Sequence, residues 1–220
     1  MAIARDMAGS QPEIPVFGSG QCTINITVGT LTNGILYVAG YGPHTVNSMT
    51  YGGHAMTKIA VYSVSPENES LFALANPPAG TNALVANWSG IYFYSFFCYQ
   101  SWSGASQTIS TNYAAASTSG TPFNTTLTTL IPGSWIGQME FDSNGISSSY
   151  SSGSQTVTAN GVNAADTDGP ITPAGSFTFT QSGGAGATLS GIAFEIPPAA
   201  ASGPTRHIRG GGRTRNYPGR

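Results

Sequence analysis

No stretch of ten or more residues in this chain carries helical periodicity. Short segments that alternate apolar and polar residues follow one another between glycine, proline and asparagine turn signals, which is the pattern of half-buried β-strands. Cys22-Thr-Ile-Asn-Ile-Thr-Val28 alternates with period two. Ile35–Tyr41, Thr45–Tyr51, Ala55–Val64, Ser70–Asn76, Ala83–Ser89 and the very apolar Tyr92–Trp102 come next, the last expected as a central strand. Phe123–Ile131, Ser134–Phe141, Thr156–Ala159, Phe177–Thr180 and Ala187–Ile196 complete the series. Asn33-Gly34 has the residues of a type I′ hairpin turn, Gly52-Gly53 marks another turn, and Asn76-Pro77-Pro78-Ala79-Gly80 can only be a loop. Ser103–Thr121 reads as a long loop or an edge strand. About ten or eleven short strands at this spacing predict an all-β fold, an antiparallel, jelly-roll-like β-sandwich. No internal repeat stands out in the residues.

Charge narrows what such a fold can do. The chain has 220 residues but only 7 cations and 9 acids, 7% charged, against about 25% in a typical soluble domain. With its many glycine, proline, serine and threonine residues, that composition excludes coiled coils, helical bundles and highly charged disordered tails, and it disfavours most enzymes. Arg5 and Lys58 are the only cations before residue 206, and all nine acids precede it, so residues 1–205 carry a formal −7 and the last fifteen residues +5. A body of one sign with a tail of the other reads as an interaction tail.

Three segments follow. Residues 1–20, with Pro12, Pro15, Gly18 and Gly20, read as an extended N-terminal arm; 21–198 as the sandwich; and 199–220 as a basic Gly/Arg tail with Gly210-Gly211-Gly212, unable to fold alone. Arg5 and Asp6 interrupt any apolar run behind Met1, so no secretory signal is expected, and no run is long enough to span a bilayer. The expectation is a product made in the cytoplasm, with Cys22 and Cys98 as buried free thiols. The sequons at Asn25, Asn68, Asn87 and Asn124 carry no meaning without export.

Each chemical motif has a plainer reading beside it. His44, His54 and His207 would need their loops to meet to hold a metal, and no partner at ligand spacing accompanies them. Asp166-Thr-Asp168-Gly169 starts like a calcium loop, but Pro170 stands where the third oxygen ligand belongs. Glu140 and Asp142 alternate on one strand face, as paired carboxylates do in glycosidases, or simply as a solvated face. Tyr92, Tyr94, Tyr99, Trp102 and Trp135 would form a sugar-binding platform only if they faced outward, and alternation turns half of them inward. No serine stands in a nucleophile elbow. The expectation is therefore no enzyme, no cofactor and no metal.

The order of motifs carries a resemblance. Gly34-Ile-Leu-Tyr-Val-Ala-Gly-Tyr41, Val46-Asn-Ser-Met-Thr-Tyr-Gly-Gly-His-Ala-Met-Thr-Lys58, Leu74-Ala-Asn-Pro-Pro-Ala-Gly-Thr81, Ala83-Leu-Val-Ala-Asn-Trp-Ser-Gly90 and the closing Leu189-Ser-Gly-Ile-Ala-Phe-Glu-Ile196 resemble, in order, segments of the Gly/Ser/Thr-rich β-sandwich modules of bacterial surface proteins and tailed-phage virion proteins. In such a module Trp88 and Trp102 would point inward and fill the gap of about 10 Å between sheets. The resemblance implies a display scaffold with no catalytic residues, and the missing export signal favours the phage side. The resulting expectation is a non-enzymatic structural protein of a tailed bacteriophage virion, a capsid decoration (cement) protein held by its arms. The alternatives are a tail- or fibre-associated virion protein and a carbohydrate-binding surface module. Partners would be the major capsid protein, other virion subunits or sister copies, a trimer among them, with glycan contact on an exposed face; a membrane is not expected and nucleic acid is disfavoured. Arg206, Arg209, Arg213, Arg215, Tyr217 and Arg220 are the residues expected to touch that partner, because an arginine fork binds carboxylates bidentately.

Overall fold

A computed structural model describes residues 2–14, 20–90, 94–143, 149–159, 161–182 and 188–200. Among them the chain is all-β and antiparallel, with sheets packed face to face and no helix. The first half contains β1 (Ala4–Ile14), β2 (Gln21–Val28), β3 (Ile35–Gly42), β4 (Val46–Tyr51), β5 (His54–Ala55), β6 (Thr57–Val64), β7 (Glu67–Ala75), β8 (Gly80–Trp88) and β9 (Ser95–Ser103). The second contains β10 (Tyr113–Thr118), β11 (Phe123–Thr128), β12 (Trp135–Asp142), β13 (Ser149–Tyr150), β14 (Ser154–Ala159), β15 (Val162–Asp166), β16 (Ser176–Ser182) and β17 (Leu189–Ile196).

Each half is a sandwich of its own. In the first, an outer sheet β2-β8-β4-β5 covers one face of an inner sheet β1-β9-β3-β7-β6; in the second, an outer sheet β11-β16-β13 covers an inner sheet β10-β17-β12-β15-β14. The inner sheets then pack on each other, giving four layers and three apolar seams. Cys22, Ile24, Ile26, Met49, Tyr51 and Trp88 meet Leu36, Val38, Phe72 and Phe97 in the first seam. Tyr37, Tyr41, Leu71 and Trp102 meet Trp135, Met139, Ile192 and Phe194 in the central one. Leu127 and Phe179 meet Ile136, Ala165 and Ala193 in the third. This layering explains why β3, β12 and β17 are buried at every position, while β2 and β11 alternate buried and exposed. A strand covered on both faces gains no polar face from its surroundings.

The strand orders of the two halves are the same. Exchanging β1, β9, β3, β7 and β6 for β10, β17, β12, β15 and β14 maps one inner sheet onto the other, and β2-β8-β4 maps onto β11-β16-β13. Neighbours across the central seam obey the same exchange: β1 lies near β14 and β6 near β10, β9 near β15 and β7 near β17. Tyr41 and Phe141, which end equivalent strands, stack on each other at 4.7 Å. The strands from β1 to β17 thus hold a structural duplication that the residues alone do not reveal.

Three further expectations change. Asn33-Gly34 makes no hairpin, because β2 and β3 belong to different sheets; the chain crosses the sandwich there, with Asn33 at φ 51°. The carbonyls of Thr32, Asn33 and Gly34 accept hydrogen bonds from the backbone of Gly104, Ala105 and Asn76. The N-terminal segment is no free arm over residues 4–14: it is the edge strand β1, paired with β9. Arg5 also donates to Asp166 of β15 at 2.8 Å, tying β1 to the second half. The segment 92–102 contributes β9, which lies between β1 and β3, so the centre of that sheet is β3. Ser103–Thr121 contains β10, an edge strand. Cys22 and Cys98 are buried free thiols.

The central seam is built on aromatic rings. Tyr37 stacks on Phe194 at 4.3 Å, and Trp102 meets both edge-on at 5.9 Å. Gly137 makes room for them: a Cβ there would lie 2.6 Å from the Phe194 ring and 3.3 Å from Trp102.

Candidate functional site

Burial of charge decides where a site can lie. Six of the nine acids, Glu67, Glu69, Glu140, Asp142, Asp166 and Glu195, are buried. Most are consumed by structure. Glu195 accepts from the backbone of Leu130 and Ile131 (3.0 Å each), from Ser134 (2.8 Å) and from Asn112 (2.9 Å), so it pins the 130–134 turn. Asp166 accepts from Arg5 and from the Asp168 backbone (2.9 Å), so the Asp166–Gly169 motif closes an Asx-type turn with Asp168 at φ 49°. Burial raises the Asp166 pKa, and Arg5 offsets only part of that. Glu140 accepts from Asn163 at 2.6 Å and is fully buried, so it shares no open cleft with Asp142.

A pocket of about 290 Å³ opens at one end of the central seam, lined by Tyr41, Glu67, Tyr94, Phe96, Asp142 and Ser143. The fold assembles it from four strand ends. Tyr41 and Asp142 sit at the C-terminal ends of the equivalent strands β3 and β12; Glu67 begins β7, and Tyr94 and Phe96 flank the start of β9. The rings make its walls, Tyr41 at 6.2 Å and Tyr94 at 6.0 Å from Phe96. The Tyr94 hydroxyl donates to Glu67 Oε1. Glu67 is only 8% exposed, and its second oxygen, Oε2, is buried with no hydrogen-bond partner among the described residues. Burial, and then the charge of Glu67, push the Tyr41 hydroxyl far above its ordinary pKa, so it stays neutral. Two carboxylates and three aromatic rings in one recess can hold an organic cation by charge and by ring faces.

Two residues further along β7 lies Glu69, fully buried. Burial raises its pKa well above the ordinary value, and the charge of Glu140 adds to that. The Ser190 hydroxyl and the Ile192 amide pull the other way more weakly.

The remaining sequence candidates fall as follows. His44 and His54 flank opposite ends of β4, so their loops do not meet, and no group of three potential metal ligands occurs among the described residues. Trp102 and Trp135 are buried and Tyr99 packs over Gly9, so they form no outward platform; among the described residues of that set Tyr94 alone lines the pocket. Tyr92, His207 and the whole of Arg206, Arg209, Arg213, Arg215, Tyr217 and Arg220 lie outside the described residues. Tyr41, Glu67, Phe96 and Ser143 were not singled out by sequence. The signal available was weak: Glu67, Glu69, Leu71 and Ala73 share one parity of a single strand, which places acids on the face that the core residues use. No described helix is long and apolar enough to cross a membrane. The chain is thus an antiparallel double β-sandwich with an acidic, aromatic-walled pocket at the end of its seam. Comparisons with protein-family models, with curated proteins and with solved structures return no match.

Proposed function

We propose that this protein is a non-enzymatic structural protein of a tailed-phage virion, a capsid decoration protein made in the host cytoplasm and attached through its basic C-terminal tail. The observation that carries the reading is the separation of charge. The folded body keeps most of its acids buried, and the only exposed charges among its described side chains are Arg5, Asp6, Lys58 and Asp168, whereas five of the seven cations lie in the last fifteen residues. The outer strand pairs present uncharged ladders instead: Thr27–Thr81 and Gln21–Asn87 on one half, Thr126–Thr178 and Thr128–Ser176 on the other. Such a body is an inert block and the tail its adhesive. The resemblance of the ordered turn motifs to virion modules points the same way. Because residues 4–14 are spent on the sandwich's own edge, attachment rests on the C-terminal tail rather than on two arms.

Replacing Arg206, Arg209, Arg213 and Arg215 by alanine should strip the protein from particles while leaving its circular dichroism unchanged. Each lost arginine–carboxylate contact should weaken attachment by roughly 1.5–3 kcal/mol. Unchanged occupancy on purified particles would refute the tail's role. A carbohydrate-binding module is the second reading, favoured by the tyrosine walls and carboxylates of the pocket; saturable glycan binding abolished by Tyr94→Ala would select it.

A further inference from the structure

We propose that the seam pocket receives an arginine side chain from the C-terminal tail of a second copy of this chain, so that copies join head to tail. The inference rests on the functional reading above and names the partner of its tail.

The pocket asks for a cation. Glu67 Oε2 is buried and unpartnered among the described residues, Asp142 lines the same recess, and Tyr41, Tyr94 and Phe96 wall it. At about 290 Å³ the volume lies at the small end of ligand pockets, about 300–1,000 Å³, which suits one long side chain better than a larger ligand. A guanidinium satisfies all of these features, because its fork pairs with carboxylates while its plane stacks on rings.

The chain supplies that group at the opposite pole. Ala199 donates to the Gly104 carbonyl and Pro198 bridges to Ala105, just past the C-terminal end of β9, whereas the pocket lies at the N-terminal end of β9. Nine residues of strand separate the two ends, about 30 Å at about 3.3 Å per residue. Arg206, six residues beyond Ala200, reaches about 20 Å and falls short of its own pocket; the later tail arginines are long enough to reach either pocket, and a tail docked on its own chain would leave the wild type monomeric. The end that bears the tail also exposes Leu130 (71%) and Ile131, an apolar tip on the turn that Glu195 pins. The chain leaves toward its basic tail at the pole that exposes these apolar side chains, and the acidic recess opens at the other, which is the polarity of a heterologous, head-to-tail contact that closes into rings or runs on as filaments.

Two full-length variants test this: a pocket variant, Glu67→Gln with Asp142→Asn, and a tail variant with all five tail arginines changed to glutamine. Solution mass is read by light scattering after size exclusion at low salt. The wild type should exceed its monomer mass of 22.6 kDa, and each variant alone should be monomeric. An equimolar mixture of the two should double the monomer mass, because the tail variant offers an intact pocket to the pocket variant's intact tail. Arginine amide should dissociate the wild-type assembly more strongly than sodium chloride at the same concentration, a readout that needs no mutation. A monomeric wild type, a pocket variant with wild-type mass, or a mixture that stays monomeric overturns the proposal. Loss of the tail variant from particles beside a pocket variant of wild-type mass would reject the pocket and keep the virion reading. Full particle occupancy by the tail variant would reject the virion attachment and leave the head-to-tail contact standing on its own data.

Discussion

Replacing Trp102 by alanine should cost about 3–5 kcal/mol of folding stability, a large share of the roughly 5–15 kcal/mol that holds a domain folded. Trp102 is fully buried in the seam where the inner sheets meet, edge-on to Tyr37 and Phe194 and over the open side of Gly137. Truncation leaves a ring-sized void bounded by both halves, and a backbone glycine cannot fill it. Because the void belongs to neither half alone, far-ultraviolet dichroism and intrinsic fluorescence should report one shared transition at lower denaturant. Leu130→Ala, at a side chain 71% exposed, should change stability by less than about 0.5 kcal/mol. Separate transitions for the two halves in the Trp102 variant would show that the seam does not couple them.

Glu69→Gln should stabilise the protein at alkaline pH and flatten its stability profile. Glu69 carries a folded-state pKa well above the ordinary value because it is buried, with Glu140 adding repulsion. Burial raises the pKa values of Cys98 and Tyr150, and the field of the same two carboxyls adds to it. The folded state therefore keeps a proton that the unfolded chain releases near pH 4.3. In that interval the native state binds more protons than the unfolded one, so stability falls as pH rises. The contribution is complete below the unfolded pKa and is lost by the time pH passes the folded value. An amide cannot ionise, so the variant should match the wild type near pH 4 and exceed it by several kcal/mol at pH 9, the scale of an uncompensated buried charge. Denaturant midpoints from pH 4 to 9 decide it; a wild-type profile in the variant would place the titration elsewhere. Asp166, also raised by burial, should leave a smaller residual slope.

The two halves were unequally legible in the residues. Alternation marked β2 and β11 because each has one wet face, and Gly52-Gly53, both at positive φ, ended β4 as expected. The strand β15, Val162-Asn-Ala-Ala-Asp166, gave no signal, because it is buried on both faces and small side chains suffice there. The strand β1 holds polar and small residues, and its pairing with β9 depends on backbone groups that no composition records. Asn33-Gly34 misled because the same left-handed residue serves a hairpin or a crossing between sheets. The duplication was hidden for a related reason. Equivalent positions need only equivalent burial, so Gly42 stands opposite Asp142 and Tyr37 opposite Gly137, with few residues in common. The pocket was invisible because it is made of strand ends far apart in sequence. Glu195, noticed only as the last acid of a closing motif, turned out to be the hub of the 130–134 turn.

The placement of the chain's exit fixes how this molecule meets mechanical load. Residues 198–200 leave at one pole and the acidic recess opens at the other, so tension between them runs parallel to β3, β9, β12 and β17. Antiparallel hydrogen bonds lie perpendicular to the strands. They are therefore loaded in shear, all sharing the force at once, rather than peeled open one rung at a time. Resistance to such a pull is set by the unfolding rate along that direction. A pull between the two poles therefore meets the double sandwich along its toughest axis.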